Sequence, residues 1–258
     1  MRVCRFYSDN AGAESAKRYG IVESDRVREI ASLFEPRKRL DRTWALSEIR
    51  LLAPSEPSKI VCVGRNYAAH AAELGNDVPK EPLIFLKPPS AILAPEEPIV
   101  LTSHSQRVDH EGELAIVIGR RCSHLAGSES VWPFILGYTC LNDVTARDLQ
   151  KKDVQYTRAK GFDTFCPFGP WIETDLDLSR ARVETLVNRQ KRQSAPVTEM
   201  IFSVDTVVRW ISHMMTLEPG DVIATGTPSG IGPLSAGDVV EVSITGIGTL
   251  RNPVAKPH

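Results

Sequence analysis

Short apolar runs cut by turn residues dominate the chain. Val3 to Tyr7, Tyr19 to Val22 and Val27 to Ile30 have the length and content of strands, and Ser24-Asp25 supplies a turn before the third. Pro54, Pro57 and the serines beside them mark a boundary. Residues 1–54 are therefore expected to form a small N-terminal domain, and residues 59–258 a larger one. The larger unit opens on Ile60-Val61-Cys62-Val63, a buried-strand run ending at Gly64. Asn66 to Leu74 predicts a short helix closed by Gly75-Asn76. Leu83 to Leu86 and Leu114 to Ile118 predict further strands, the first stopped by Pro88-Pro89. From Met200 to Met215, apolar residues at 200, 204, 207, 208, 211, 214 and 215 follow helical spacing. Gly220-Asp221 precedes Val222-Ile223, and Gly237-Asp238 precedes the strand run Val239 to Ile244. The balance predicts an α+β, mostly β chain built as a roll or sandwich, not as βαβ repeats.

Composition narrows this picture. At 258 residues, 42% hydrophobic and 24% charged, the chain can bury a core without disulfides or a structural metal. Lys and Arg number 31 against 32 Asp and Glu, so no basic excess points to nucleic acid. Arg37-Lys38-Arg39 with Arg42 reads as a solvated loop. The five cysteines are odd in number and contain no CxxC pair, which disfavours a disulfide framework or a zinc site. Cys62 and Cys140 sit in apolar runs and read as small core residues. No apolar run reaches about 18 residues, and no signal-peptide core follows Met1. The expectation is a soluble, cytoplasmic protein with no membrane partner.

The candidate chemistry begins at Asp109-His110-Glu111-Gly112-Glu113. Alternate strand residues share a face, so Glu111 and Glu113 point the same way, about 6.5–7 Å apart. Paired carboxylates entering a buried strand call for a raised pKa or a cation, and oxygen ligands favour Mg²⁺, Mn²⁺ or Ca²⁺. From spacing alone, two solvent-facing glutamates are the simpler reading. Asp143 stands at a strand-to-helix junction, because Thr145 and Asp148 have capping-box spacing and predict a helix start. Arg147 and Gln150 share a helix face and read either as ligand-facing or as an exposed pair. His70 and Glu73, three apart on an Ala-rich helix, read as a base with its orienting carboxylate or as a surface pair. Thr225 to Gly232 lacks the lysine of a P-loop but can offer backbone N–H groups to a carboxylate. Lys160 lies in a charged stretch that alone says little.

Seven segments in order resemble the fumarylacetoacetate hydrolase family over about residues 59 to 254. They are Val63 to His70, Phe85-Leu86-Lys87-Pro88, Asp109 to Leu114, Asn142 to Gln150, Arg158 to Thr164, Met200-Ile201-Phe202-Ser203 and Thr225 to Gly232. The resemblance implies a mixed β-sandwich roll, a small N-terminal domain and a homodimer. It implies Mg²⁺ or Mn²⁺, with Ca²⁺ able to substitute, on Glu111, Glu113 and Asp143. It implies a catalytic His70–Glu73 dyad on a lid that is open or mobile without ligand, and an active-site Lys160. Gln150 and Thr227 match substrate-contacting positions, and Arg65 stands where relatives vary. Two departures are Tyr156, in place of a frequent Trp, and Asn188-Arg189, in place of a frequent Asn-Gly, which predicts a less tight hairpin. The reaction implied is metal-dependent hydrolysis or decarboxylation of a C–C bond in a small 2-oxo acid. Keto–enol tautomerisation or isomerisation of a related diacid is the alternative, and a non-catalytic metal-binding dimer is a distant third.

Overall fold

The computed structural model describes residues 1–8 and 17–257. Five strands come first: β1 (Arg2–Ser8), β2 (Lys17–Glu23), β3 (Arg26–Ile30), β4 (Arg39–Ala45) and β5 (Ile49–Leu51). The chain then forms β6 (Ile60–Gly64), helix α1 (Ala68–Glu73), β7 (Leu83–Lys87) and the short β8 (Ile92–Leu93) and β9 (Ile99–Val100). Next come β10 (Val108–His110), β11 (Gly112–Ile118), β12 (Ile135–Asn142) and β13 (Thr145–Ala146). Helices α2 (Arg147–Lys152) and α3 (Thr157–Lys160) lead to β14 (Cys166–Glu173), β15 (Arg182–Val187) and β16 (Gln190–Pro196). Helix α4 (Val204–Met214), β17 (Val222–Ala224), β18 (Gly232–Pro233), β19 (Val239–Ile244) and β20 (Gly248–Ala255) complete the order.

These strands make three sheets, and the α+β, mostly β class holds. The main sheet runs β4-β3-β2-β1-β14-β12-β11-β17-β6-β7, with β5 added on β1 and β8 on β14. It is mixed, since β17 pairs parallel with β6 and β8 parallel with β14. A second sheet runs β16-β15-β19-β20-β9, and a small third one β13-β10-β18. The N-terminal strands continue the main sheet through the pairs Arg2↔Glu173 and Val3↔Ile172.

The core explains the unbroken apolar run of β11. Leu114, Ile116 and Ile118 face Val183, Val242, Ile244 and the apolar side of α4. Ala115 and Val117 face Ile60, Cys62 and Phe168 on the other side. A strand covered on both faces has no reason to alternate with polar residues. Helix α4 buries Val204, Val207, Val208 and Ile211, the predicted stripe. It starts later than the periodicity suggests, because Ser203 Oγ accepts the Thr206 N–H and caps it. Helix α1 is likewise shorter than expected. The Asn66 amide, at its predicted start, instead donates to Phe202 O and Thr225 O, and its oxygen accepts the Phe202 N–H.

Two turn readings are corrected. Thr145 is in β13, not at a helix N-cap: its hydroxyl donates to Asp143 O, while Asp148 accepts from Ser105 and from Gln106 N–H. Capping-box spacing is present, but both side chains have other partners. The Asn188-Arg189 hairpin is tight, with Val187 paired to Gln190. Both turn residues take left-handed φ, +51° and +64°, and the Asn188 side chain bonds Asp238 and the Val239 N–H. Those two bonds hold the turn without glycine.

All five cysteines are buried and free. Among the described residues, no helix is long and apolar enough to cross a membrane. Strands β12 and β14 meet closely at Gly137, where a Cβ would lie 2.4 Å from Glu173 O. Gly137→Ala is expected to destabilise the fold by about 1–3 kcal/mol, read as a lower urea midpoint at unchanged slope.

Candidate functional site

The site is built where the chain changes sheets. At Glu111 it leaves the small third sheet, after β10, and enters the main sheet as β11. Side chains take the backbone groups this break would orphan. Glu111 N–H donates to Asn142 Oδ1 at 2.9 Å and Gly112 N–H to Gln193 Oε1 at 2.9 Å. Glu111 O accepts the Asp143 N–H at 2.8 Å, which ties the two segments together. One carboxylate oxygen from each of Glu111, Glu113 and Asp143 lies within 4.8 Å of the others, and all three residues are buried.

Buried cations surround this cluster. Lys160 Nζ donates to Glu111 Oε2 at 2.7 Å and to Asp143 Oδ2 at 2.5 Å. Lys87 Nζ donates to Asp143 Oδ1 at 2.6 Å and Val144 O at 3.2 Å. Arg147 donates to Glu111, to Asp109 Oδ2 at 2.8 Å and to Gln150 Oε1 at 2.5 Å. Burial works to raise the Glu111 carboxyl, but Lys160 and Arg147 outweigh it and hold it well below the usual range. Burial likewise works to lower the Lys160 ammonium, and Asp143 and Glu111 overcome it, so the lysine stays charged. Glu113 has weaker support. It accepts one hydrogen bond, from Gly226 N–H at 2.7 Å. Burial, Asp143 and Glu111 together push its carboxyl well above the usual range.

The donor set fits a divalent cation. Three converging carboxylates, with Glu113 under-compensated, make an all-oxygen cradle, which suits a hard ion such as Mg²⁺ or Mn²⁺.

A cavity of about 200 Å³ opens onto the cluster. His70, Lys160, Arg65, Gln150 and Thr227 all line it with the three carboxylates. Glu73 does not line it. It stands behind His70, with Oε2 3.3 Å from His70 Nδ1 and Oε1 accepting the Gly230 N–H at 3.0 Å. In the structure His70 is buried against the cavity, and the Glu73–Gly230 contact lays the α1 segment over it, the arrangement expected of the lid when closed. The glycine-rich loop does present N–H groups to carboxylates, at Glu113 and Glu73. Arg147 and Gln150 are not an exposed pair, since the arginine is buried and the glutamine faces the cavity.

Four residues of the site carried no reading as members of it. Lys87 ends an apolar strand before two prolines, where a lysine normally marks a solvated end. Its signal is that β7 would turn it inward. Asp109, completely buried, anchors Arg147 and also Arg107. It shares the strand alternation of Glu111 and could have been found from that. Tyr156 stacks edge-on with Phe85 at 5.4 Å in the cavity wall. Gln193 comes from the second sheet and has no sequence signal at all.

Comparison with known proteins extends this picture. Residues 59–255 match the fumarylacetoacetate (FAA) hydrolase C-terminal family model, and residues 1–54 match the Rv2993c-like N-terminal model. The chain is 53% identical over 218 residues to protein Rv2993c of Mycobacterium tuberculosis, covering 83% of this chain and 82% of that protein. It is 41% identical over 228 residues to oxaloacetate tautomerase YisK of Bacillus subtilis, covering 82% and 75%. The solved 5-carboxymethyl-2-hydroxymuconate delta-isomerase of Mycobacterium smegmatis superposes with a TM-score of 0.91 at 47% identity, over 99% of this chain and all of that one. With the roll, the buried acidic cluster and these matches in agreement, the chain belongs to the fumarylacetoacetate hydrolase family.

Proposed function

We propose that this chain is a divalent-metal-dependent enzyme that interconverts the keto and enol forms of a small 2-oxo acid, with oxaloacetate the first substrate to test. The observation that carries this reading is a proton-transfer pair, His70–Glu73, closed over a buried carboxylate triad. The similarity to a tautomerase and an isomerase supports it. A bound divalent cation supplies the charge that stabilises an enolate oxygen. The chain's own residues supply the rest. The Glu73 carboxylate accepts from His70 Nδ1, and the neutral imidazole held in that tautomer presents a bare Nε2 that can take a proton from carbon. Arg147 occupies Gln150 Oε1, which leaves the Gln150 amide N–H groups for a ligand oxygen. Lys160 and Lys87 hold Asp143 from both sides and keep it aimed at the cluster. Arg65 at the cavity wall adds a cation for an acidic substrate.

Cleavage or decarboxylation of a C–C bond is the second reading. The same His70–Glu73 pair favours it, because it can deprotonate a water as well as a carbon acid. Following the enol absorbance of oxaloacetate with Mg²⁺ or Mn²⁺, then with chelator, separates the two from each other. Metal-dependent tautomerisation without pyruvate release is expected. Pyruvate formed in step with substrate loss would establish the second reading, and no metal-dependent change across oxaloacetate, acylpyruvates and unsaturated dioates would reject both.

The functional unit in this proposal is a homodimer in the cytoplasm. Strand β7 supports the assembly: it is a free edge of the main sheet, with Leu83 and Leu86 exposed. Light scattering at micromolar concentration is expected to give about twice 28.5 kDa, and a monomer mass would overturn it.

A further inference from the structure

Gln193 lies on β16 of the second sheet, yet its side chain reaches between the break at Gly112 and the glycine-rich loop. Two backbone partners fix which end of its amide is which. Gly112 N–H can only donate, so the atom 2.9 Å from it is Oε1. Pro228 O can only accept, so the atom 2.7 Å from it is Nε2. His110 Nδ1 makes the second bond to Oε1, at 3.2 Å, and must carry the proton. The second N–H of Nε2 donates to Thr227 Oγ1 at 2.7 Å. Every donor and acceptor of this buried amide is used.

The consequence falls on Thr227, which lines the cavity. Its hydroxyl accepts from Gln193 and lies 2.8 Å from Gly112 O, which can only accept. The hydroxyl proton is therefore committed to Gly112. One lone pair and no proton remain for a ligand. We propose that Gln193 is a positioning residue: it clamps the glycine-rich loop to the carboxylate-bearing strand and fixes Thr227 as a hydrogen-bond acceptor for the ligand. Resting on the 2-oxo acid reading above, this makes Thr227 a partner for a protonated oxygen, the enol hydroxyl, and not for a carboxylate or keto oxygen.

The packing around the clamp agrees. A Cβ at Gly230 would lie 2.1 Å from Arg192 O, and one at Gly112 would lie 2.1 Å from Thr185 Oγ1. Loop and break are thus seated on β16 and β15 more closely than a side chain allows. The same loop gives Gly226 N–H to Glu113 and Gly230 N–H to Glu73. Its placement by Gln193 therefore bears on both the acidic cluster and the proton-transfer pair.

Neutron diffraction from deuterated crystals of the full chain reads the proton positions without any need for activity. Deuterium on Thr227 Oγ1 directed at Gly112 O is expected, with both Gln193 Nε2 deuteriums directed at Thr227 and Pro228. A Thr227 deuterium aimed into the cavity overturns the proposal. A double-mutant cycle tests the consequence on oxaloacetate enol with Mn²⁺. Thr227→Val is expected to lower kcat/KM about tenfold or more in the wild-type background, and less than about twofold once Gln193→Met has released the hydroxyl. Thr227→Ser, which keeps both partners, should retain the activity. Additive losses, or a Thr227→Ser variant as poor as Thr227→Val, would reduce Gln193 to a structural residue. If the wild type ignores 2-oxo acids altogether, the functional reading fails, and the neutron result alone decides the clamp.

Discussion

Glu113→Gln is expected to weaken Mg²⁺ or Mn²⁺ binding by at least roughly 10²-fold, beyond the loss usual for residues that only support a ligand, and to abolish metal-dependent turnover. Glu113 is the least compensated carboxylate of the cluster, with one N–H bond and two acidic neighbours. A cation therefore gains most from its charge. The sign of the stability effect separates this from simple damage. A carboxyl held above its ordinary range costs the folded chain stability once pH rises past the unfolded value near 4.5. Removing that charge should leave the ion-free variant at least as heat-resistant as the wild type at neutral pH. Calorimetry with and without Mn²⁺ checks both parts. The wild type should melt higher with the ion and the variant should not respond. A variant that still gains stability from Mn²⁺ would move the ion elsewhere.

His70→Ala should cut turnover by roughly 10²–10⁴-fold, the span of a lost general base. His70 makes no bond to the three carboxylates, so the Mn²⁺ titration should stay within about twofold of the wild type by the near-additivity of sites without shared partners. Glu73→Gln should fall between the two, since an amide can still touch Nδ1 but cannot favour the charged imidazole. Loss of ion binding and activity together on His70→Ala would make the imidazole a ligand and remove it from proton transfer.

How much of this was readable in the chain follows from how local each signal is. Glu111 and Glu113 were legible because a strand has period two, and that holds even though the backbone breaks at Glu111. His70 and Glu73 were legible from helical spacing, and the pair survives although α1 is shorter than expected. Residues whose meaning comes from distant partners were not legible. Lys87 meets Asp143 across 56 positions, and Gln193 meets Gly112 across 81. The Thr145–Asp148 spacing misled for the same reason, because Asp148 found Ser105 and Gln106 far upstream. Closure of α1 depended on Gly230, 157 residues past Glu73. The apolar stripes therefore locate the sheets and α4, while the charged lattice between the sheets exists only through contacts between distant segments.

The five enclosed cysteines have a consequence for handling and for the cell. Burial pushes the thiols of Cys4, Cys140 and Cys166 up to about 12 and that of Cys122 to about 11, with Cys62 also raised well above its ordinary value. None is poised as a thiolate at neutral pH, and none meets solvent. Alkylating reagents, peroxide and low-molecular-weight disulfides therefore find no cysteine to attack in the closed molecule. Covalent modification of these sulfurs becomes a clock for transient opening, and the five positions, spread over separate strands and loops, would time the breathing of different layers of the roll.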